Sequence, residues 1–144
     1  MAVTRADGVF YYQHINNWRI SVSHIVQIKT QVKDPAAVRA ACRRLELPVP
    51  VQETVQLFAE TVTGLAVRLP GWRYPAVFDT AKAEAKFDNY GGRWGDQREL
   101  DRFLQMYAVE RATIEARKQG HSVTEQSLAD GSIRLSIQVA GGAE

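Results

Sequence analysis

Three groups of residues in this sequence have types and spacing that could do chemistry. The first is a glycine loop, Gly91, Gly92, Arg93, Trp94 and Gly95, that runs straight into a helix-forming segment. Backbone amides at the start of a helix can hold an anion. Asp88, Arg93 and that helix N-terminus would then make a small-molecule site for an anionic ligand, in a binding protein or an enzyme. However, the lysine and the serine or threonine of a nucleotide-binding loop are missing. Glycines also let a chain turn tightly from strand to helix, and Asp96 is placed to cap the helix. The second group is a run of carboxylates: Asp79, Glu84, Asp88, Asp96, Glu99 and Asp101. Glu84 and Asp88 would share the polar face of one strand, where a general acid–base pair can be built. Lys82 and Lys86 interleave with them, so the plainer reading is a solvated face with cross-strand ion pairs. The third group is His14, His24, His121 and the lone Cys42. No two of these have zinc-like spacing. Cys42 falls on an apolar stripe, where cysteine behaves as a small hydrophobe. A Cys–His nucleophilic pair is supported by residue type alone. These residues assign no catalytic set, no metal site and no cofactor.

A fourth set suits recognition. Trp72, Arg73 and Tyr74 lie just past a Pro70-Gly71 turn, and Tyr90, Arg93 and Trp94 lie in the glycine loop. Binding residues concentrate on loops, and aromatic and arginine side chains are the usual interface anchors. The competing reading is that the aromatics close the open end of the core.

The elements that must position these residues can be read from period and caps. Val26, Ile28, Thr30 and Val32 alternate with polar residues, as in a half-buried strand. Asp34-Pro35 then opens a short helix. Its stripe is Val38, Ala41, Cys42 and Leu45, with Arg39, Arg43 and Arg44 facing water as a small basic patch. Leu47-Pro48-Val49-Pro50 ends it. Strands are expected at 51–58, 62–69, 73–79 and 82–88. The last is rich in helix formers, but Ala81, Ala83, Ala85 and Phe87 alternate strictly, and period decides which face is buried. A second helix starts at Asp96, with Glu99 completing a capping box. Leu100, Phe103, Leu104, Tyr107, Ala108 and Ile114 share one face, and Gly120 is placed to end it. The chain closes with a hairpin, 121–128 and 132–139, around Asp130-Gly131, a type I′ turn signal.

The fold class expected is α+β: a mostly antiparallel sheet with two helices packed on one face. Its first strand–helix–strand unit resembles half of a ferredoxin-like fold. The length of 144 residues suits one domain. Hydrophobic residues at 45% and charged residues at 24% are ordinary globular composition. The net charge of +2, dispersed along the chain, gives no reason to expect nucleic acid or an anionic membrane as partner. No apolar run reaches the ~20 residues of a membrane helix. The start has no signal-peptide core, and a single cysteine suits a reducing compartment. A cytoplasmic protein is the simplest expectation. Residues 1–22, with Phe10, Tyr11, Tyr12 and Trp18, would add an edge strand, dock on a neighbour, or precede the true start near Ser23. Residues 140–144 read as a frayed tail.

Ser23-His24-Ile25 and Ile28-Lys29-Thr30-Gln31-Val32-Lys33-Asp34 resemble the start of a family of cyanobacterial and red-algal plastid open reading frames, catalogued as domain of unknown function twelve fifty-seven. The likeness resumes at Trp94-Gly95-Asp96 and Glu99-Leu-Asp-Arg-Phe-Leu104. It continues through Gly120-His-Ser-Val123 and Asp130-Gly-Ser-Ile-Arg-Leu135. It spans residues 23–139, is carried by the two ends, and leaves 1–22 outside as an extension. Between 47 and 85 only the pattern matches. The resemblance implies a small soluble domain with no known catalytic motif, often encoded near ATPases of the AAA type. A non-catalytic accessory or adaptor domain is therefore expected. It would bind a protein partner, such as an AAA-type ATPase or another copy of itself, through Trp72–Tyr74 and Tyr90–Trp94.

Overall fold

The structure, a computed structural model, describes residues 2–6, 9–13 and 26–139. The chain order is β1 (Ala2–Ala6), β2 (Val9–Gln13), β3 (Val26–Lys29), α1 (Pro35–Arg44), β4 (Val51–Gln56), β5 (Thr61–Val67), β6 (Ala76–Asp79), β7 (Glu84–Phe87), α2 (Gln97–Lys118), β8 (Ser122–Ser127) and β9 (Ile133–Gln138). It is an α+β fold. The central sheet has the order β3-β7-β6-β5-β4, and every neighbouring pair is antiparallel. β1–β2 and β8–β9 are separate two-stranded hairpins. The strand at 84–87 follows its alternation and not its helix-forming composition, because Ala85 and Phe87 bury one face completely.

β3 and β4 run in the same direction but lie at opposite edges, with three strands between them. The β3–α1–β4 unit therefore crosses the whole sheet. It is not the split unit of a ferredoxin-like half, whose two strands flank a single strand.

Ile28, Leu65, Val67, Ala76, Phe78, Ala85 and Phe87 present one sheet face to Ala37, Val38, Ala41 and Cys42 of α1 and to Leu100, Phe103, Leu104 and Tyr107 of α2. Both helices thus pack on one face, as their apolar stripes require. On the opposite face, Leu57, Val62 and Val77 form a smaller apolar cluster, joined by Val55 and Tyr74.

Local chemistry sets the helix ends. The Asp34 carboxylate accepts from the Ala36 N–H at 2.9 Å, and Pro35 occupies the first turn. Both helices end in the same cap. The Leu47 N–H reaches the Cys42 carbonyl, and the His121 N–H reaches the Ala116 carbonyl. The left-handed residue between is Glu46 in α1, at φ +57°, and Gly120 in α2, at φ +80°.

The β8–β9 hairpin departs from expectation in two ways. Only Gly131 has positive φ at its tip, and the Leu128 N–H bonds to the Ser132 carbonyl. The loop is thus a three-residue turn closed by a left-handed glycine, not a type I′ turn. The hairpin also stays out of the main sheet. Its apolar stripe is only partly covered, and Ile137 and Val139 are exposed. It is held by α2, where Gln105 Nε2 donates to the Gly131 carbonyl at 3.0 Å, and by α1. There the Arg44 guanidinium pairs with Glu125 of β8 and, at 3.0 Å, with Glu110 of α2. The expected basic patch of α1 therefore loses Arg44, which is a structural clamp. Residues 140–144 and 14–25, with His14, Trp18 and His24, lie outside the described residues.

Candidate functional site

Two loops meet at one end of the sheet. Pro70-Gly71 makes the first turn, with Gly71 at φ +74° and the Trp72 N–H bonded to the Leu69 carbonyl. The second loop leaves β7 at Asp88. Asp88 is fully buried, and its Oδ1 accepts from the Tyr90 N–H at 3.2 Å. Tyr90, Gly91 and Gly92 all have positive φ, at 47°, 62° and 99°. The two glycines take this conformation freely. Tyr90 does so against strain of about 1–3 kcal/mol, which must be offset by its surroundings. The Trp94 N–H closes the loop onto the Asn89 carbonyl at 2.9 Å.

The loops are stitched together. The Arg73 N–H donates to the Trp94 carbonyl at 2.8 Å. Trp72 Nε1 donates to the Asp96 carbonyl at 2.9 Å. The result sorts the expected residues into two groups. Trp72 turns inward, with its ring 5.6 Å from that of Phe87 and half-buried against the main core. Asp88 is interior, so it does not share a solvated face with Glu84.

Arg73, Tyr74, Tyr90, Arg93 and Trp94 come together on the outside. Trp94 is the hub: its ring lies 4.6 Å from Tyr90, 5.8 Å from Tyr74 and 5.3 Å from Phe58. The Arg73 guanidinium stands 5.0 Å over the Trp94 ring, and that of Arg93 stands 5.1 Å over Tyr90. Both are cation–π distances. Phe58 was not among the expected site residues. It follows the last residue of β4's apolar alternation, Leu57, and is 52% exposed despite its size. An aromatic off the buried phase was its only signal in the sequence. Tyr74 links this patch to the Leu57–Val62–Val77 cluster beneath.

The anion site suggested by the glycine loop meets a different occupant. The Asp96 carboxylate accepts from the Arg98 N–H at 2.9 Å and from the Arg98 guanidinium at 2.8 Å. These bonds hold its carboxyl below the usual carboxylate range. The positive end of α2 thus already faces an internal carboxylate. Glu99 pairs with Arg102.

Cys42 is 1% exposed, and burial pushes its thiol up to about 11. It stays protonated at neutral pH, the wrong state for a nucleophile. Among the described residues no three His, Cys, Asp or Glu side chains converge as metal ligands, and no helix is long and apolar enough to cross a membrane.

No family model, curated protein or solved structure matches this chain.

Proposed function

We propose that this protein is a non-catalytic interaction domain that binds a protein partner through Phe58, Arg73, Tyr74, Tyr90, Arg93 and Trp94. The observation that carries this reading is the partly exposed aromatic cluster centred on Trp94, with a guanidinium over each of two rings. Tyr, Trp and Arg are the side chains that most often dominate binding energy at interfaces. The cluster is also prepared in advance. Hydrogen bonds between the loops hold it, so little ordering remains to oppose association. An ATPase of the AAA type is the partner class the family resemblance implies, and a second copy of the chain is the other. A cytoplasmic setting fits this reading.

The test is recovery of co-purifying proteins from the native cell with wild type, Trp94→Ala and Arg93→Ala. Loss of one specific partner in both variants, with unchanged circular dichroism, is the expected result. Equal recovery by all three would overturn the proposal.

A further inference from the structure

We propose that the partner presents an acidic segment carrying an apolar side chain, with its carboxylates taken by Arg73 and Arg93 and its apolar group seated on the Phe58–Trp94–Tyr90 surface. This inference rests on the interaction reading above and names the chemistry of the partner. Three observations carry it. First, both guanidiniums lie over aromatic rings. A guanidinium held to a ring by cation–π attraction still has N–H donors to offer, in the fork that matches a carboxylate. Second, among the described residues neither arginine has an ion-pair partner, although the pairs found elsewhere on the surface are numerous. Third, cations on the sheet face turned away from the helices are already neutralised. Lys86 pairs with Glu60 at 3.5 Å, Arg68 with Glu53 at 3.1 Å and Lys29 with Glu84 at 3.4 Å.

The third observation also separates an acidic peptide from a nucleic acid. Aromatic platforms with arginine do stack bases. A phosphate backbone, however, needs a track of uncompensated cations along its path. This surface offers two, Arg73 over Trp94 and Arg93 over Tyr90. Two carboxylates flanking an apolar side chain match two arginines beside aromatic rings better than a polyanion does.

The experiment is fluorescence anisotropy with a dye-labelled peptide of alternating glutamate and leucine, its glutamine-for-glutamate counterpart, and a labelled oligothymidylate of similar length. Proteins are wild type, Arg73→Gln/Arg93→Gln and Arg73→Lys/Arg93→Lys. The acidic peptide is expected to bind wild type at least tenfold more tightly than the glutamine peptide, and to weaken at least tenfold with the glutamine variant. The lysine variant should recover only part of the loss, because an ammonium keeps the charge but lacks the fork. Equal binding of both peptides would overturn the acidic-segment inference while leaving the aromatic interaction surface standing. No binding of either peptide, or tighter binding of the oligothymidylate, overturns it as well. Partner recovery that fails with Trp94→Ala but survives Arg73→Gln/Arg93→Gln separates the two proposals in the cell.

Discussion

The indole of Trp72 lies where a side chain on Gly95 would begin: a β-carbon added to Gly95 would fall 2.4–2.6 Å from three of its ring atoms. That contact, with the bond from Trp72 Nε1 to the Asp96 carbonyl, locks the 70–75 loop onto the start of α2. Gly95 is therefore a packing glycine. Its value is the absence of a β-carbon, not its backbone freedom, since its φ is not in the left-handed region.

Gly95→Ala is expected to destabilise the fold by about 1–3 kcal/mol, the usual range for overpacking a well-filled site. It should also displace Trp94 and so weaken any binding at the aromatic cluster. Urea unfolding followed by tryptophan fluorescence measures the first effect. A midpoint identical to wild type would show that Trp72 moves away at no cost.

Tyr107 supplies one hydroxyl to three backbone groups. It accepts from the N–H of Lys33 at 2.9 Å and of Asp34 at 3.0 Å, and lies 3.3 Å from the Gln31 carbonyl, to which it donates. The ring is buried, so the hydroxyl fixes the β3–α1 connection from inside. Tyr107→Phe keeps the ring and strands those groups. A loss of about 1–3 kcal/mol is expected, read as a lower urea midpoint with an unchanged m value. If the phenylalanine variant unfolds at the wild-type midpoint, water satisfies the turn equally well.

Glu46 and Gly120 occupy the same position of the same helix cap, yet only one is glycine. A non-glycine residue in the left-handed region is held there against about 1–2 kcal/mol of steric strain. Part of that gain is offset by the greater freedom of glycine in the unfolded chain. Glu46→Gly should stabilise the protein by about 0.5–1 kcal/mol, visible as a higher melting temperature. A decrease would point to a contact of the Glu46 side chain that outweighs the strain.

Acid should loosen the clamp between α1 and β8. The Arg44 guanidinium beside Glu125 holds that carboxyl below its ordinary range. A group whose folded pKa is depressed contributes stability above its unfolded value, about 4.3 for glutamate. That contribution fades as pH falls through the lower, folded value. The pair is partly exposed, so the effect is on the order of 0.2–1 kcal/mol. Urea unfolding between pH 6 and 3 should show a smaller acid-side decline for Glu125→Gln than for wild type. The same decline in both proteins would assign it to other carboxylates.

Much of the fold could be read along the chain. The caps at Asp34 and Asp96, the stripe from Leu100 to Tyr107 and the alternation in β3 and β7 all depend on neighbours within a few residues. A sequence displays such neighbours directly. The candidate site was legible only in part. Arg73, Tyr74, Tyr90, Arg93 and Trp94 stood out as loop aromatics and arginines, and the structure brings them to one place. Trp72 carried the same signal, and Asp88 was singled out as a carboxylate of the same loop, but both turn inward, because burial depends on what packs above them. Phe58 went unmarked for the converse reason. It lies far from Trp94 in the chain and, by strand register, leaves β4 at the end of the sheet away from the two site loops, so only tertiary folding brings its ring to 5.3 Å from that of Trp94.

The sequence by itself determined the kinds of element, the starts of both helices and the apolar faces of the helices and alternating strands, because these follow from local backbone chemistry and a short-range period. Tertiary structure alone decided the order of the strands, the crossing of α1 from one sheet edge to the other and the separation of the β8–β9 hairpin from the sheet. It also set which aromatic residues of the two loops face outward. Those outcomes depend on contacts between residues distant in the chain, such as Trp72 with Gly95 and Arg44 with Glu125, whose energies exist only once the elements have met.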